Sequence, residues 1–86
     1  MGEFMYPTNR KASEATIYEQ AVKVVEEAEE VRVAASEADD WQILTETYDV
    51  IRACEGILRK YPKELREKAH DHVRAKCKAR GDYEAY

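Results

Sequence analysis

Only three glycines and two prolines occur in 86 residues. So few chain breakers, set among abundant Ala, Glu, Lys and Arg, leave little material for turns and point to a mostly helical chain. Cysteine is scarce too. Cys54 and Cys77 lack a CxxC-like partner spacing, which excludes a cysteine-rich metal site or a disulfide framework. They read as reduced, mostly buried thiols of a cytoplasmic protein. No apolar run approaches 18 residues and no signal peptide is visible, so neither a membrane span nor secretion is expected. Helix-turn-helix and RNA-binding patterns are missing from a chain of net charge −4, which argues against a nucleic-acid partner. One Glu-x-x-His spacing occurs, Glu67 to His70, where a di-iron bundle needs two. His70 and His72 are read as exposed.

With 44% hydrophobic and 37% charged residues, the chain is too apolar for a disordered one. Its length suits one small domain whose monomer would be only marginally stable, so oligomerisation is expected. The charge is unevenly spread. From Val24 to Asp49 nine acids face only Arg32, giving −8, and from Pro62 to Arg80 seven bases face three acids, giving +4. Such a division fits a metal-and-anion site, and fits a salt-bridged helical bundle equally well.

The chain divides into an N-terminal arm (1–12), a helical domain (13–81) and a tail (82–86). Met1-Gly2-Glu3-Phe4 ahead of a second methionine resembles a cloning scar, with the natural start at Met5. Pro7, Thr8 and Asn9 are expected to keep the arm extended and flexible. A first helix begins near Ser13 or Thr16, where Thr16 and Glu19 have the spacing of a capping box. Ile17, Ala21, Val24, Ala28, Val31 and Ala35 form its apolar packing stripe, and Gln20, Lys23, Glu27, Glu30 and Ala34 run beside it. Asp39 or Asp40 caps a second helix over Trp41 to about Lys60, with Leu44, Tyr48, Ile51 and Leu58 in one stripe that Glu55 interrupts. Val50, Cys54 and Ile57 widen the apolar surface, and Gly56 suits a close helix approach. The short connection between these helices calls for antiparallel packing. A third helix runs from Pro62 to about Arg80 with Gly81 as its stop. The expected fold is all-α: two long antiparallel helices and a third, dimerising into a four-helix-bundle core, with a dimer of dimers as a further option.

Two acidic clusters hold the chemistry. Glu26-Glu27-Ala28-Glu29-Glu30 carries the pair Glu27/Glu30, and Glu46-Thr47-Tyr48-Asp49 carries the pair Glu46/Asp49. Residues three apart on a helix are surface neighbours. Two such pairs on packed helices gather four carboxylates, an arrangement that repels unless a cation sits among them. Oxygen-only ligands suit Mg²⁺ or Mn²⁺.

The spacing EExxE, fifteen residues, then ExxD resembles the signature of the MazG-like all-α nucleoside triphosphate pyrophosphohydrolases. The likeness extends from Lys23 through Ala34-Ala35, into Asp49-Val50-Ile51, and to the basic stretch Lys76-Cys77-Lys78-Ala79-Arg80-Gly81-Asp82-Tyr83. It covers roughly Ala15 to Tyr83. The resemblance implies Mg²⁺- or Mn²⁺-dependent cleavage of a nucleoside triphosphate to the monophosphate and pyrophosphate. It implies Glu27, Glu30, Glu46 and Asp49 as metal ligands, and Glu26 as a further ligand or base, so that Glu26 and Glu27 are the candidate catalytic residues. Lys23, Lys76 and Arg80 are the candidate phosphate-binding cations. Trp41 and Tyr48, with Ile17 and Tyr18, are the candidate base pocket, unless they belong to the core. A phosphoribosyl-ATP pyrophosphohydrolase-like enzyme and a non-catalytic helical interaction module are the alternatives. The preferred base and sugar are not legible.

Overall fold

A computed structural model describes residues 4–83 and contains only helices among them. Four occur: α1 (Arg10–Glu14), α2 (Ile17–Ser36), α3 (Asp40–Leu58) and α4 (Lys63–Ala79). The long pair behaves as the spacing predicts. Thr16 caps α2 in a complete capping box, its hydroxyl accepting from the Glu19 N–H at 3.0 Å and the Glu19 carboxylate accepting from the Thr16 N–H at 2.8 Å. Asp39 caps α3 through the Gln42 N–H. Gly81, at φ 75°, ends α4 in a Schellman turn: the Asp82 N–H donates to Cys77 and the Gly81 N–H to Lys78.

The additional helix is α1, whose first three residues, Arg10 to Ala12, fall in the arm expected to be extended. Asn9, read as a breaker, is instead its N-cap, its side chain accepting from the Ala12 N–H at 3.2 Å. Five residues cannot sustain a helix alone, so tertiary contacts hold this one. Ala12 is buried against Gly56 of α3. The arm before it is held by main-chain contacts. Both oxygens of Glu55, which is 7% exposed, accept N–H groups, from Met5 at 2.8 Å and Tyr6 at 3.1 Å. The Arg59 guanidinium donates to the carbonyls of Tyr6 and Pro7. Lys60 Nζ reaches the Ala15 carbonyl at 2.6 Å. Glu55, which breaks the apolar stripe in sequence, is thus the anchor of the arm. Phe4 lies with the Arg59 and Arg66 guanidinium carbons 4.3 and 4.9 Å from its ring centroid. Residues 1–3 of the supposed scar and 84–86 of the tail lie outside the described residues.

Helices α2 and α3 run antiparallel: Gln20 meets Ala53 near one end, and Glu27 meets Glu46 and Asp49 further along. The face α2 gives to α3 differs from the expected one. Gln20, Glu27 and Ala34 are buried; of the apolar stripe, Ala21, Val24 and Val31 are half-buried at the edge of this contact and Ile17, Ala28 and Ala35 are exposed. At 100° per residue these two rows lie about a quarter turn apart. Polar side chains occupy the contact because each is satisfied there. Gln20 Nε2 donates to the Ala53 carbonyl at 3.1 Å, and Glu27 accepts from Lys23 at 2.8 Å. On α3, Leu44, Tyr48 and Leu58 are likewise exposed. Helix α4 buries no side chain, and both cysteines are half-buried.

Gly56 is where a side chain would do most damage. An added Cβ would stand 2.8 Å from Gln20 Nε2 and 3.0 Å from the Ala12 Cβ. Gly56→Ala therefore displaces the Gln20 amide and loosens α1. It is expected to lower stability by about 1 kcal/mol despite the higher helix propensity of alanine, read as a fall in thermal midpoint. An unchanged or raised midpoint would show that the Gln20 contact contributes little.

Candidate functional site

The antiparallel register decides which acids meet. Glu27 on α2 faces the stretch of α3 bearing Glu46 and Asp49, and each of the three places a carboxylate oxygen within 4.8 Å of the other two. Glu27 is 6% exposed, and Glu46 and Asp49 are half-buried. Glu30 is exposed and outside this trio, yet it adjoins it. Hydrogen bonds with Glu46 and then Glu27, and the charges of both, push its carboxyl up to about 7. Lys23 acts oppositely on Glu27, its ammonium holding that carboxyl below the usual range against the cost of burial. One oxygen of Glu46, Oε2, is buried with no hydrogen-bond partner among the described residues. A buried orphan acceptor is costly unless something occupies it.

This donor set fits a hard divalent ion. It offers oxygen only, from three carboxylates on two helices, with an acceptor already desolvated and unused. Glu30 can join once it gives up its proton. Glu26 is exposed and is not brought to the trio.

The cations are distributed differently from the spacing-based reading. A cleft of about 870 Å³ opens between α1 and the α2/α3 pair, with Glu27 and Asp49 in its wall. Its cations are Arg10, Lys11, Lys23 and Arg52. Lys23 is committed to Glu27, and Arg52 stands 3.6 Å from Asp49. Lys76 on α4 and Arg80, its C-cap, do not line this cleft, and Arg80 is paired with Asp82 at 2.6 Å. Trp41 is 71% exposed, Ile17, Tyr18 and Tyr48 are exposed too, and none of the four lines the cleft. Within one chain they form no pocket there. The adjoining cleft beside Pro7, Arg59 and Lys60 shares Arg52 but has no carboxylate in its lining.

No family model, curated protein or solved structure matches this chain. What the site can do therefore rests on its own geometry.

Glu30 gives the site a pH signature. Its folded-state value, about 7, lies above the ordinary 4.5 of a free glutamate. The stability this group contributes is therefore fully present below about pH 4.5 and lost as pH rises through about 7. In chelator, the thermal midpoint should fall between about pH 5 and about pH 8. Magnesium should reverse the trend, because a cation takes the proton's place and binds more tightly as Glu30 ionises. Melting curves across that range with and without MgCl₂ check this. A magnesium-induced gain of equal size at both ends would exclude Glu30 from the ion's surroundings.

Proposed function

We propose that this protein is a divalent-metal-dependent nucleoside triphosphate pyrophosphohydrolase, releasing pyrophosphate and the monophosphate. The observation that carries the reading is the convergence of Glu27, Glu46 and Asp49 from two helices, each with a carboxylate oxygen within 4.8 Å of the other two. Lys23 and Arg52 offset the charges of Glu27 and Asp49, but Glu46 has no ion-pair partner among the described residues. The arrangement is explained if a positive charge shared with a phosphate group belongs among them.

Glu27, Glu46 and Asp49 would hold the ion, with Glu30 beside them. When bound, Mg²⁺ or Mn²⁺ supplies charge neutralisation for a polyphosphate and lowers the pKa of water. The chain's own residues do the positioning. Lys23 keeps Glu27 ionised and fixed. The half-buried setting of Glu46 and Asp49 excludes part of the bulk water, which strengthens every interaction with charge there. Phosphoryl chemistry asks mainly for such positioning and electrostatic support.

The assembly belongs to the same proposal. The protein presents 7021 Å² of accessible surface, where a compact monomer of its size presents about 5,200 Å². Its radius of gyration is 14.9 Å against about 12 Å for a compact chain. The excess surface and the exposed stripes of α2 and α3 are accounted for by a homodimer, or a dimer of dimers, in which α2 and α3 of two copies form a four-helix core. The deciding experiment is a screen of ribo- and deoxyribonucleoside triphosphates with Mg²⁺ or Mn²⁺, reading pyrophosphate. Release from at least one supports the enzyme. Silence toward all with both ions favours a helical interaction module.

A further inference from the structure

The cleft between α1 and the α2/α3 pair combines two opposite electrostatic surfaces. Its lining includes Glu27 and Asp49 from the long helices, Arg10 and Lys11 from α1, and Arg52 from α3. The four lining cations are not equivalent. Lys23 is consumed by Glu27 at 2.8 Å. Arg52 makes only a loose contact with Asp49 and remains half-exposed. Arg10 and Lys11 are exposed and make no ion pair among the described residues. Glu19, the remaining acid in the lining, is occupied by the Thr16 cap, which holds its carboxyl below the usual range. The uncommitted charge of the cleft is therefore positive, in a lining that also carries Glu27 and Asp49 of the acidic trio.

That polarity matches a bound polyphosphate: oxygens at one end share the ion with the carboxylates, and oxygens further along meet fixed cations. The cleft, about 870 Å³ and open to solvent, has room for a polyphosphate chain. The short helix gains a purpose as well. Asn9, Ala12 against Gly56 and the grip of Lys60 on the Ala15 carbonyl set α1 in place, so Arg10 and Lys11 stand on a seated element and not on a loose arm.

We propose that this cleft seats the phosphate chain of the substrate, with Arg10, Lys11 and Arg52 as its cationic contacts. The proposal rests on the pyrophosphohydrolase reading for the identity of the substrate, and on the cleft alone for anion binding.

The test uses the full chain and two probes. Inorganic tripolyphosphate is titrated calorimetrically in buffer containing Mg²⁺, and the triphosphate that reacts best is then assayed with the same ion. Each charge-assisted contact removed should weaken binding about tenfold. Arg52→Gln is expected to weaken tripolyphosphate binding about tenfold, and the Arg10→Gln/Lys11→Gln pair more strongly. The same changes should raise KM with a smaller effect on kcat. Lys68→Gln with Lys78→Gln, which removes equal charge from α4, should leave both readouts in place and so separates local contact from net charge. Circular dichroism verifies that the exposed substitutions leave the helices intact. If no triphosphate turns over but tripolyphosphate binds and loses affinity in the Arg10/Lys11 pair, the catalytic reading fails and the phosphate cleft stands. If turnover proceeds while KM and tripolyphosphate binding ignore both sets of changes, the cleft assignment is overturned and the catalytic reading stands. No detectable tripolyphosphate binding by the unmodified chain also overturns it.

Discussion

Glu27→Gln and Asp49→Asn are each expected to lower pyrophosphate release by at least ~10²-fold, beyond the roughly 10–100-fold lost when only a group supporting a metal ligand is removed. Both exchanges keep the shape of the side chain and delete one negative charge, so a loss of turnover with unchanged helix content is a loss of chemistry. The two positions are held differently, which makes the pair informative. Glu27 is buried and braced by Lys23, whereas Asp49 is half-buried and faces Arg52 at 3.6 Å. If an ion needs both, magnesium dependence should shift to higher concentration in each variant. Glu37→Gln, at the end of α2 away from the trio, should leave turnover nearly intact. Full activity in either of the first two variants would remove that residue from the site.

Replacing Leu44 or Tyr48 with glutamate is expected to have the largest effect on assembly. Both are exposed on the single chain, and the excess surface of the protomer is of the order an obligate partner covers. Burying one such side chain contributes roughly 1.5–3 kcal/mol, and placing an unpaired carboxylate in an apolar seam costs more. For a domain of this length, each change should lower the thermal midpoint by at least ~10 °C and shift the mass from dimer or tetramer toward monomer. Light scattering coupled to size exclusion reads the mass directly. An unmodified chain that is monomeric at micromolar concentration, or variants that keep the parental mass and midpoint, would refute the proposed seam.

Much of the fold is written locally. Thr16 with Glu19, Asp39 before α3 and Gly81 after α4 mark helix ends through short-range hydrogen bonds that spacing reveals. The meeting of Glu27 with Glu46 and Asp49 follows from spacing plus an antiparallel pair. What spacing does not reveal is which face of α2 meets α3. An apolar stripe identifies a surface that avoids water, but not the chain that covers it, and here the intrachain contact goes to Gln20 and Glu27 because each finds a polar partner. Glu55 shows the same limit: an acid within an apolar stripe reads as an interruption, and its partners are peptide N–H groups some fifty positions earlier. No periodicity links Arg10 and Lys11 to Asp49 and Arg52. Only the seating of α1 on Gly56 brings them to one cleft.

Glu55 and Arg59 hold the stretch from Met5 to Pro7 by its peptide groups, taking N–H on one side and carbonyls on the other. Such a grip is blind to the identity of the side chains it carries. Substitutions along that stretch are expected to accumulate as long as two amides remain to be donated, whereas Glu55 on α3 and Arg59 at its C-cap are expected to tolerate few. Variation between kindred chains should therefore be lopsided: permissive along the strap, strict at the buckle.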